Sequence, residues 1–263
     1  MTGGWQTIGA ALLLAVAWAT PAMAQDEAPE TGEAADAPVV AVEEEVVVDA
    51  DRAVLDALDA PDYATREAAT RALLTDPWRG LASLRRLWDR ATTMEARHRL
   101  LSVIRHQFLV EQAEMMFPGV GRGAIGVSHR TLGDTPGPPA GAQVVATLPG
   151  FPGHAHLRVG DVITAIEGRP LQAGEDVEVL SERVQQLEQG AVVSLSVWRG
   201  GVVREIAFPL GSMNALVAMY GGQGLGEPFA SRLAVLEREL WASAGQAAGA
   251  EGEGEGEGEG GQD

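Results

Sequence analysis

The fold is decided by one stretch in the second half of the chain, which reads LRVGDVI at residues 157–163 and IEGRPL at residues 166–171. The largely apolar run at residues 162–166 is bounded by Gly160 on one side and Gly168 on the other. A short apolar run between such turn residues is typical of a buried β-strand. We therefore predict that residues 162–166 form a core strand of a small β-rich domain.

More strands are predicted on both sides of this core strand, because short alternating apolar runs are separated there by glycine and proline. They lie at residues 124–129, 143–148, 192–198 and 202–210. The last two are joined by RGG at residues 199–201, which is a hairpin signal. One helix is predicted at residues 175–188, between Gly174 and Gly190, because its apolar side chains recur every three or four positions. The domain would be of the α+β class and span residues 121–211.

These segments resemble, in order and spacing, the PDZ domain that follows the trypsin-like domain in bacterial high-temperature-requirement proteases. GAIGV at residues 123–127 is similar to the carboxylate-binding loop and following strand of that family, and residues 157–171 are similar to its most characteristic core segment. Residues 190–201 are similar to its closing hairpin. Two loops depart from the family pattern, at residues 131–141 and 151–156. The resemblance implies a β-sandwich or barrel of about five to six strands with one main flanking helix.

A peptide-binding groove is predicted beside the GAIGV segment. A glycine-flanked turn can aim backbone N–H groups at one point, which suits a carboxylate, and Arg122 would add positive charge. The next strand would leave an edge to which an extended peptide can add, with the helix as the opposite wall. The predicted peptide-binding residues are Arg122, Gly123, Ala124, Ile125, Gly126, Val127, His129, Val177, Leu180 and Val184. The alternative is that the apolar members of this set only fill the core.

Residues 51–117 are predicted to be helical, because glycine nearly vanishes there and apolar residues recur every three to four positions. Asp76 followed by proline, and the capping box at residues 92–95, mark the starts of two helices. DYATREAATRALL at residues 62–74 resembles the first helix of a HEAT-like repeat. One or two units cannot close a solenoid core, which takes about three. We therefore expect this small antiparallel segment to pack on the second domain or on a partner.

Seven arginines lie between residues 79 and 105, where only Asp89 and Glu95 carry negative charge. We interpret them as a solvated helix surface in a chain that uses no lysine. An anion- or nucleic-acid-binding face and docking of the protein's own acidic tails are the alternatives. Since acidic tails and export both disfavour a nucleic acid, we expect no nucleic-acid partner.

The two ends of the chain are predicted to lie outside the folded part. Residues 1–24 carry no charged side chain and end in a small-x-small pattern, which is typical of a cleaved secretory signal rather than a retained anchor. We therefore expect an exported protein, periplasmic or secreted, that is not an integral membrane protein. Residues 25–50 hold nine acidic residues and residues 251–263 hold six. This composition predicts a disordered acidic linker at residues 25–50 and a disordered Glu-Gly tail at residues 244–263.

Two further segments lie between the β-rich domain and the tail. Residues 212–228 are rich in glycine and are predicted to form a hinge. Residues 229–243 are predicted to form a C-terminal helix with three leucines on one face, at positions 233, 236 and 240. That face could dock on the helical repeats or on a second copy of the chain, which would make a homo-oligomer.

Composition and motifs exclude several kinds of catalysis. The chain has no cysteine and no lysine, which excludes a thiolate nucleophile and a lysine Schiff base. No serine lies in a Gly-x-Ser-x-Gly or Gly-Asn-Ser-Gly-Gly motif, and residues 25–121 are about half the length of a trypsin-like domain. His154 and His156 are interpreted as exposed loop residues rather than zinc ligands. We therefore predict that the protein is not an enzyme and uses no cofactor or metal.

The combined prediction is a non-catalytic exported adaptor or scaffold that binds an extended peptide or a protein C-terminus in the cell envelope. The alternative is an accessory or degenerate subunit of an envelope serine protease system that contributes to catalysis. A purely structural module, in which no peptide binds the groove, is a third hypothesis.

Overall fold

The computed structural model describes residues 50–76, 79–119, 121–133, 137–171, 177–222 and 224–252. The predicted signal segment, nearly all of the predicted linker and the last residues of the predicted tail lie outside this part of the chain. Within it, no helix is long and apolar enough to cross a membrane.

Five helices of the described chain form the helical part of the molecule. They are α1 at residues 50–58, α2 (Tyr63–Thr75), α3 (Leu81–Arg90), α4 (Met94–Met116) and α8 (Glu227–Gly252). Asp62 and Thr93 cap α2 and α4, since their side chains accept hydrogen bonds from the backbone N–H groups of Thr65 and Ala96. The side chains shared among these helices make one apolar core, which includes Leu58, Leu84, Leu87, Trp88, Leu100, Ile104, Leu236 and Leu240.

Helix α8 packs on the other helices of its own chain. The indole N–H of Trp88 donates a hydrogen bond to the carbonyl of Leu240 at 2.7 Å, and the Trp88 ring meets that of Trp241 edge to face at 4.9 Å. The apolar face predicted for a C-terminal helix is therefore used within the chain. The helix also runs past the predicted end at residue 243, because Ala244 is buried and continues the apolar face.

Five of the seven arginines at residues 79–105 form ion pairs with carboxylates of the same chain. Ion pairs join Arg79 and Arg90 to Asp51, Arg85 to Glu239, Arg99 to Glu95, and Arg105 to Glu237. Two of these carboxylates belong to α8, so the charged face predicted from the sequence is partly an internal contact surface of the helical part.

The strands of the β-rich part are β1 (Gly123–Ala124), β2 (Val127–Leu132), β3 (Gly141–Thr147), β4 (Val162–Ile166), β5 (Arg169–Pro170), β6 (Val192–Arg199), β7 (Val202–Pro209) and β8 (Gly211–Ser212). They form an antiparallel sheet in the order β2-β3-β4-β6-β7, with β5 paired to β4, and a separate pair of β1 and β8. The remaining helices are α5 (Pro152–His156), α6 (Val177–Gln185) and α7 (Met213–Tyr220). The predicted α+β class is confirmed, and the structure shows that the strands are antiparallel.

Asp161, in the turn before β4, forms a buried ion pair with Arg199. Asp161 is only 2% exposed, and its carboxylate accepts hydrogen bonds from the guanidinium of Arg199 at 2.8 and 2.7 Å and from the backbone N–H of Arg158 at 2.8 Å. A carboxylate buried in this way is stabilised only when both its charge and its lone pairs are satisfied. The turn before β4 is thereby fixed to the end of β6.

The segment predicted as a glycine-rich hinge contains helix α7 instead. Ala215 and Met219 are fully buried there, in a third core that also includes Phe151 and Phe229. The glycines of the segment lie at positions 221, 222, 224 and 226, and the largely apolar run at residues 213–220 before them is long enough for two helical turns. This third core joins α4 to the β-rich part.

Candidate functional site

Strand β2 is one edge of the five-strand path, and helix α6 lies beside its outer edge. Among the described strands, β2 pairs only with β3. The space between strand and helix is a groove of about 470 Å³. It is lined by Val127, Ser128, His129, Glu178, Ser181, Glu182 and Gln185. The structure therefore brings together the strand and the helix that the sequence placed on opposite walls.

The first residue of β2 presents its backbone to this groove. Val127 lies opposite Thr147 of β3, while the N–H of Leu148 donates to the carbonyl of Gly126 at 2.9 Å. Since residues of an antiparallel strand alternate in the side to which they hydrogen-bond, the N–H and C=O of Val127 point away from β3. An added strand could pair with them.

In the turn before β2, the carbonyl groups accept hydrogen bonds, whereas two of the amides have no acceptor among the described residues. The carbonyls of Ile125 and Gly126 accept hydrogen bonds from the N–H groups of Gly153 (2.8 Å) and Leu148 (2.9 Å). The N–H groups of Ile125 and Gly126 donate none to any described residue. Adjacent amides without an internal acceptor can form a concave anion site. We call residues 125–127 the amide turn.

Gly126 is required at this turn for two reasons. Its φ of +75° is in the left-handed region, which favours glycine. A Cβ atom at this position would also overlap the Cβ of the fully buried Phe151. No other residue fits without moving Phe151.

The residues just before the amide turn are bound on both sides. The N–H of Gly123 donates to the carbonyl of Leu187 at 2.8 Å, and Gly123 and Ala124 pair with β8. The side chain of Arg122 is exposed, and its backbone forms an isolated antiparallel β-bridge with that of Glu188. The amide of Gly123 is therefore not available to a ligand, whereas those of Ile125, Gly126 and Val127 are.

The apolar wall predicted for the groove faces the core instead. Leu180, Val184 and Ile125 are only 2%, 4% and 5% exposed and pack in the core of the sheet. Their burial supports the alternative that they are core residues. Val177 begins α6, and its side chain lies outside the described part. Helix α6 is rotated so that its polar side lines the groove, because its apolar side covers β-strand side chains.

Two of these polar residues give the groove a negative wall. Glu178 and Glu182 are four positions apart and exposed, and neither forms an ion pair within the described chain. His129, on the opposite wall, is half-buried.

A buried histidine cluster lies behind the amide turn, and the sequence did not reveal it. His154 and His156 belong to α5 and are half-buried, so their interpretation as exposed loop residues is wrong. The His154 ring stacks on that of His106 at 5.2 Å, and His156 stacks on Phe208 at 4.9 Å. Burial lowers the pKa of His106 to about 3 and also lowers the pKa values of His154 and His156. No group of three or more metal-ligating side chains occurs among the described residues.

Comparison with known proteins finds partial similarity to one kind of protease. No known family profile matches the chain. Over 74 residues, the chain is 34% identical to a probable periplasmic serine endoprotease, DegP-like, of Rhizobium meliloti (strain 1021). The matched stretch is 28% of this chain and 14% of that protein. The chain is thus similar to part of a serine endoprotease. Two solved structures of the HtrA-type protease AlgW with a decapeptide are 26% and 25% identical to this chain, with TM-scores of 0.31 and 0.30. The matches cover 40% and 39% of this chain and 33% of each AlgW chain.

These comparisons confirm the resemblance to high-temperature-requirement proteases in part and correct one prediction. The resemblance holds over a stretch that spans 14% of the curated relative. The prediction that the protein is not an enzyme is wrong on this comparison, because the matched relative is a serine endoprotease. The PDZ assignment and the HEAT-like assignment remain predictions.

Proposed function

We propose that this chain is a periplasmic, protease-related protein whose groove binds extended peptides with a free carboxyl terminus by strand addition to β2. One observation carries the proposal: the outward-facing backbone of Val127 adjoins two amides, of Ile125 and Gly126, that have no acceptor in the described chain. The similarity to a periplasmic serine endoprotease supports both the compartment and the connection to proteolysis.

Each part of the site would contact one feature of the peptide. The terminal carboxylate would accept hydrogen bonds from the amide turn, and exposed Arg122 lies close in sequence to add positive charge. The peptide backbone would pair with β2 from Val127 onward. Since the apolar side chains of α6 are buried in the core, main-chain hydrogen bonds would supply more of the binding free energy than an apolar pocket. A micromolar dissociation constant, roughly −8 kcal/mol, suits such a contact.

The wall formed by Glu178 and Glu182 would select among peptides. Two exposed carboxylates that form no ion pair with any described residue favour a basic side chain upstream of the terminus and disfavour an acidic one. The acidic segments at the ends of this chain are therefore poor occupants of its own groove.

A second candidate function follows from the comparison alone. The similarity to a serine endoprotease favours a subunit of an envelope protease system that takes part in catalysis. Incubation of the purified full chain with unfolded casein, with and without a serine-protease inhibitor, separates the two. Inhibitor-sensitive cleavage that copurifies with the chain supports the second candidate.

Peptide binding is tested with fluorescein-labelled decapeptides that share one basic sequence and differ in the last residue. Each is made once with a free carboxylate and once as the C-terminal amide. We expect fluorescence polarisation to show micromolar binding of the free acids and at least tenfold weaker binding of the amides. Equal binding of both forms, or no binding across all last residues, contradicts the proposal.

A further inference from the structure

Arg71 connects the helical part to the segment that supports the amide turn. It lies on α2, and one of its guanidinium nitrogens donates to the backbone carbonyls of His154, Ala155 and Leu157 at 3.1, 3.3 and 3.0 Å. These carbonyls are at the C-terminal end of α5, where helical partners are lacking and a cation is favoured. The Arg71 guanidinium is oriented in turn by Glu67 at 3.1 Å. One side chain of the helical part thus satisfies three main-chain groups of the β-rich part.

His106 makes the second connection, from α4. It is 5% exposed, and its Nδ1 accepts a hydrogen bond from the backbone N–H of Gly150 at 3.0 Å. Gly150 has φ of +86°, and a Cβ atom there would lie 2.7 Å from the Cβ of Leu109, also on α4. Helix α4 and the turn at Gly150 are therefore in direct contact.

The segment held in this way is the one that holds the amide turn. Residues 148–157, which we call the support segment, donate from Leu148 and Gly153 to the carbonyls of Gly126 and Ile125. The buried ring of Phe151 fills the space under Gly126. Among the described residues, both carbonyls thus accept their hydrogen bonds from the support segment. This segment contacts α2 through Arg71 and α4 through His106.

We infer that Arg71 and His106 are positioning residues for the amide turn: the helical part keeps the support segment in place, and the support segment keeps the amides of Ile125 and Gly126 aimed at the groove. The inference rests on the proposed function in naming those amides as the binding groups. Occupation of the groove and docking of the helices on the support segment would then be coupled, each favouring the other by the same factor.

Amide hydrogen exchange tests this inference without any peptide. The backbone N–H groups of Leu148 and Gly153 report directly on the two hydrogen bonds to the amide turn. In the full chain we expect Arg71→Met and His106→Leu each to accelerate exchange at both amides by about tenfold or more, since a hydrogen bond made by a charged or buried group is lost. The amides of Val193 and Leu195 in β6 serve as the reference, and we expect them to change less than threefold.

Two further variants separate positioning from a general loss of stability. His106→Asn keeps an acceptor where Nδ1 lies, so we expect exchange close to that of the unmodified chain. Arg66→Met is the matched control, because Arg66 also lies on α2 and also donates to backbone carbonyls, those of Ala60 and Pro61, within the helical part. We expect it to leave Leu148 and Gly153 unchanged.

The outcomes separate this inference from the proposed function. Unchanged exchange at Leu148 and Gly153 in both variants, or equal acceleration there and in β6, overturns the inference whatever the peptide assay shows. Accelerated exchange at the two amides in a chain that binds no free-carboxyl decapeptide supports the positioning of the turn and contradicts the proposed function alone.

Discussion

The two sides of the amide turn differ in how their backbone groups are satisfied. Behind the turn, the carbonyls of Ile125 and Gly126, the end of α5 and the N–H of Gly150 all have partners within the chain. In front of it, the amides of Ile125 and Gly126 have none among the described residues. Buried polar groups are ordinarily paired, so a turn that is satisfied on one side only is suited to a ligand on the other. The difference indicates where the ligand binds and what holds the site in shape.

Replacing Gly126 of the amide turn should have the largest effect on both stability and peptide binding. Gly126→Ala places a Cβ against Phe151 at a positive φ, so we expect the free energy of unfolding to fall by about 3 kcal/mol and peptide binding to be lost. Urea unfolding and polarisation measure the two effects. Gly168→Ala is the matched control, because Gly168 has a similar φ of +69° but open space around it. There, only the strain of about 1 kcal/mol is expected, and an equal loss in both variants contradicts the packing of Phe151 under the turn.

Acid should destabilise the folded chain through His106, which lies behind the amide turn. Burial lowers the pKa of His106 to about 3 in the folded chain, against its ordinary value of 6.5, so the unfolded chain binds more protons between these values. Stability is therefore full above pH 6.5 and falls as the pH is lowered, by about 2 kcal/mol between pH 7 and pH 5 for His106 alone. His154, His156 and Arg71 face the same space, and Asp76 and Glu114 line the adjoining cavity.

The pH dependence is measured by urea unfolding at pH 7 and pH 5, with His106→Asn as the control. We expect this variant to lose about 2 kcal/mol of the difference between the two pH values, because asparagine does not titrate. A pH dependence that is the same in both chains contradicts the assignment of the loss to His106.

A large side chain placed in the groove should weaken peptide binding and leave the fold intact. Ser181 lines the groove from α6, so we expect Ser181→Trp to weaken binding of a free-carboxyl peptide by at least tenfold while the free energy of unfolding changes by about 0.5 kcal/mol or less. Gln186→Trp, at an exposed position just past α6 that does not line the groove, is the control. Equal effects of the two variants on affinity would place the peptide elsewhere.

The smallest expected effect concerns the charge of the groove. We expect Glu178→Gln and Glu182→Gln each to reduce the preference for peptides with an upstream basic residue about two- to threefold, since exposed charge pairs contribute about 0.2–1 kcal/mol. The effect should shrink as salt rises from about 0.05 to 0.5 M. If neither substitution changes the preference for basic peptides, that preference comes from another part of the groove and not from these two glutamates.

The sequence predicted the elements of the β-rich part better than the orientation of their side chains. The LRVGDVI stretch predicted β4, and the spacing of Leu180 and Val184 predicted one apolar face for α6. A periodic pattern indicates which residues share a face of a helix but not which part of the protein that face contacts. In the structure, the apolar face of α6 packs on the core of the sheet. The amide turn could be predicted because its glycine is needed for local backbone geometry.

The histidine cluster could not be predicted, because it depends on contacts between distant parts of the chain. His106 and Gly150 are 44 positions apart, and Arg71 is 83 positions from His154. Nothing in the local sequence of His154 indicates that α4 will cover it. The glycine-rich composition of residues 212–228 likewise gave no sign that Met219 would be fully buried in a third core.

The proposed function is tested most directly by the amide proton resonances of Ile125 and Gly126 during titration with a decapeptide. Our proposal predicts that the free acid moves both resonances downfield by about 0.5 ppm or more, as new hydrogen bonds to a carboxylate form, and that the C-terminal amide of the same peptide does not. Unchanged resonances with a peptide that binds, or the same shifts with both forms, would contradict it.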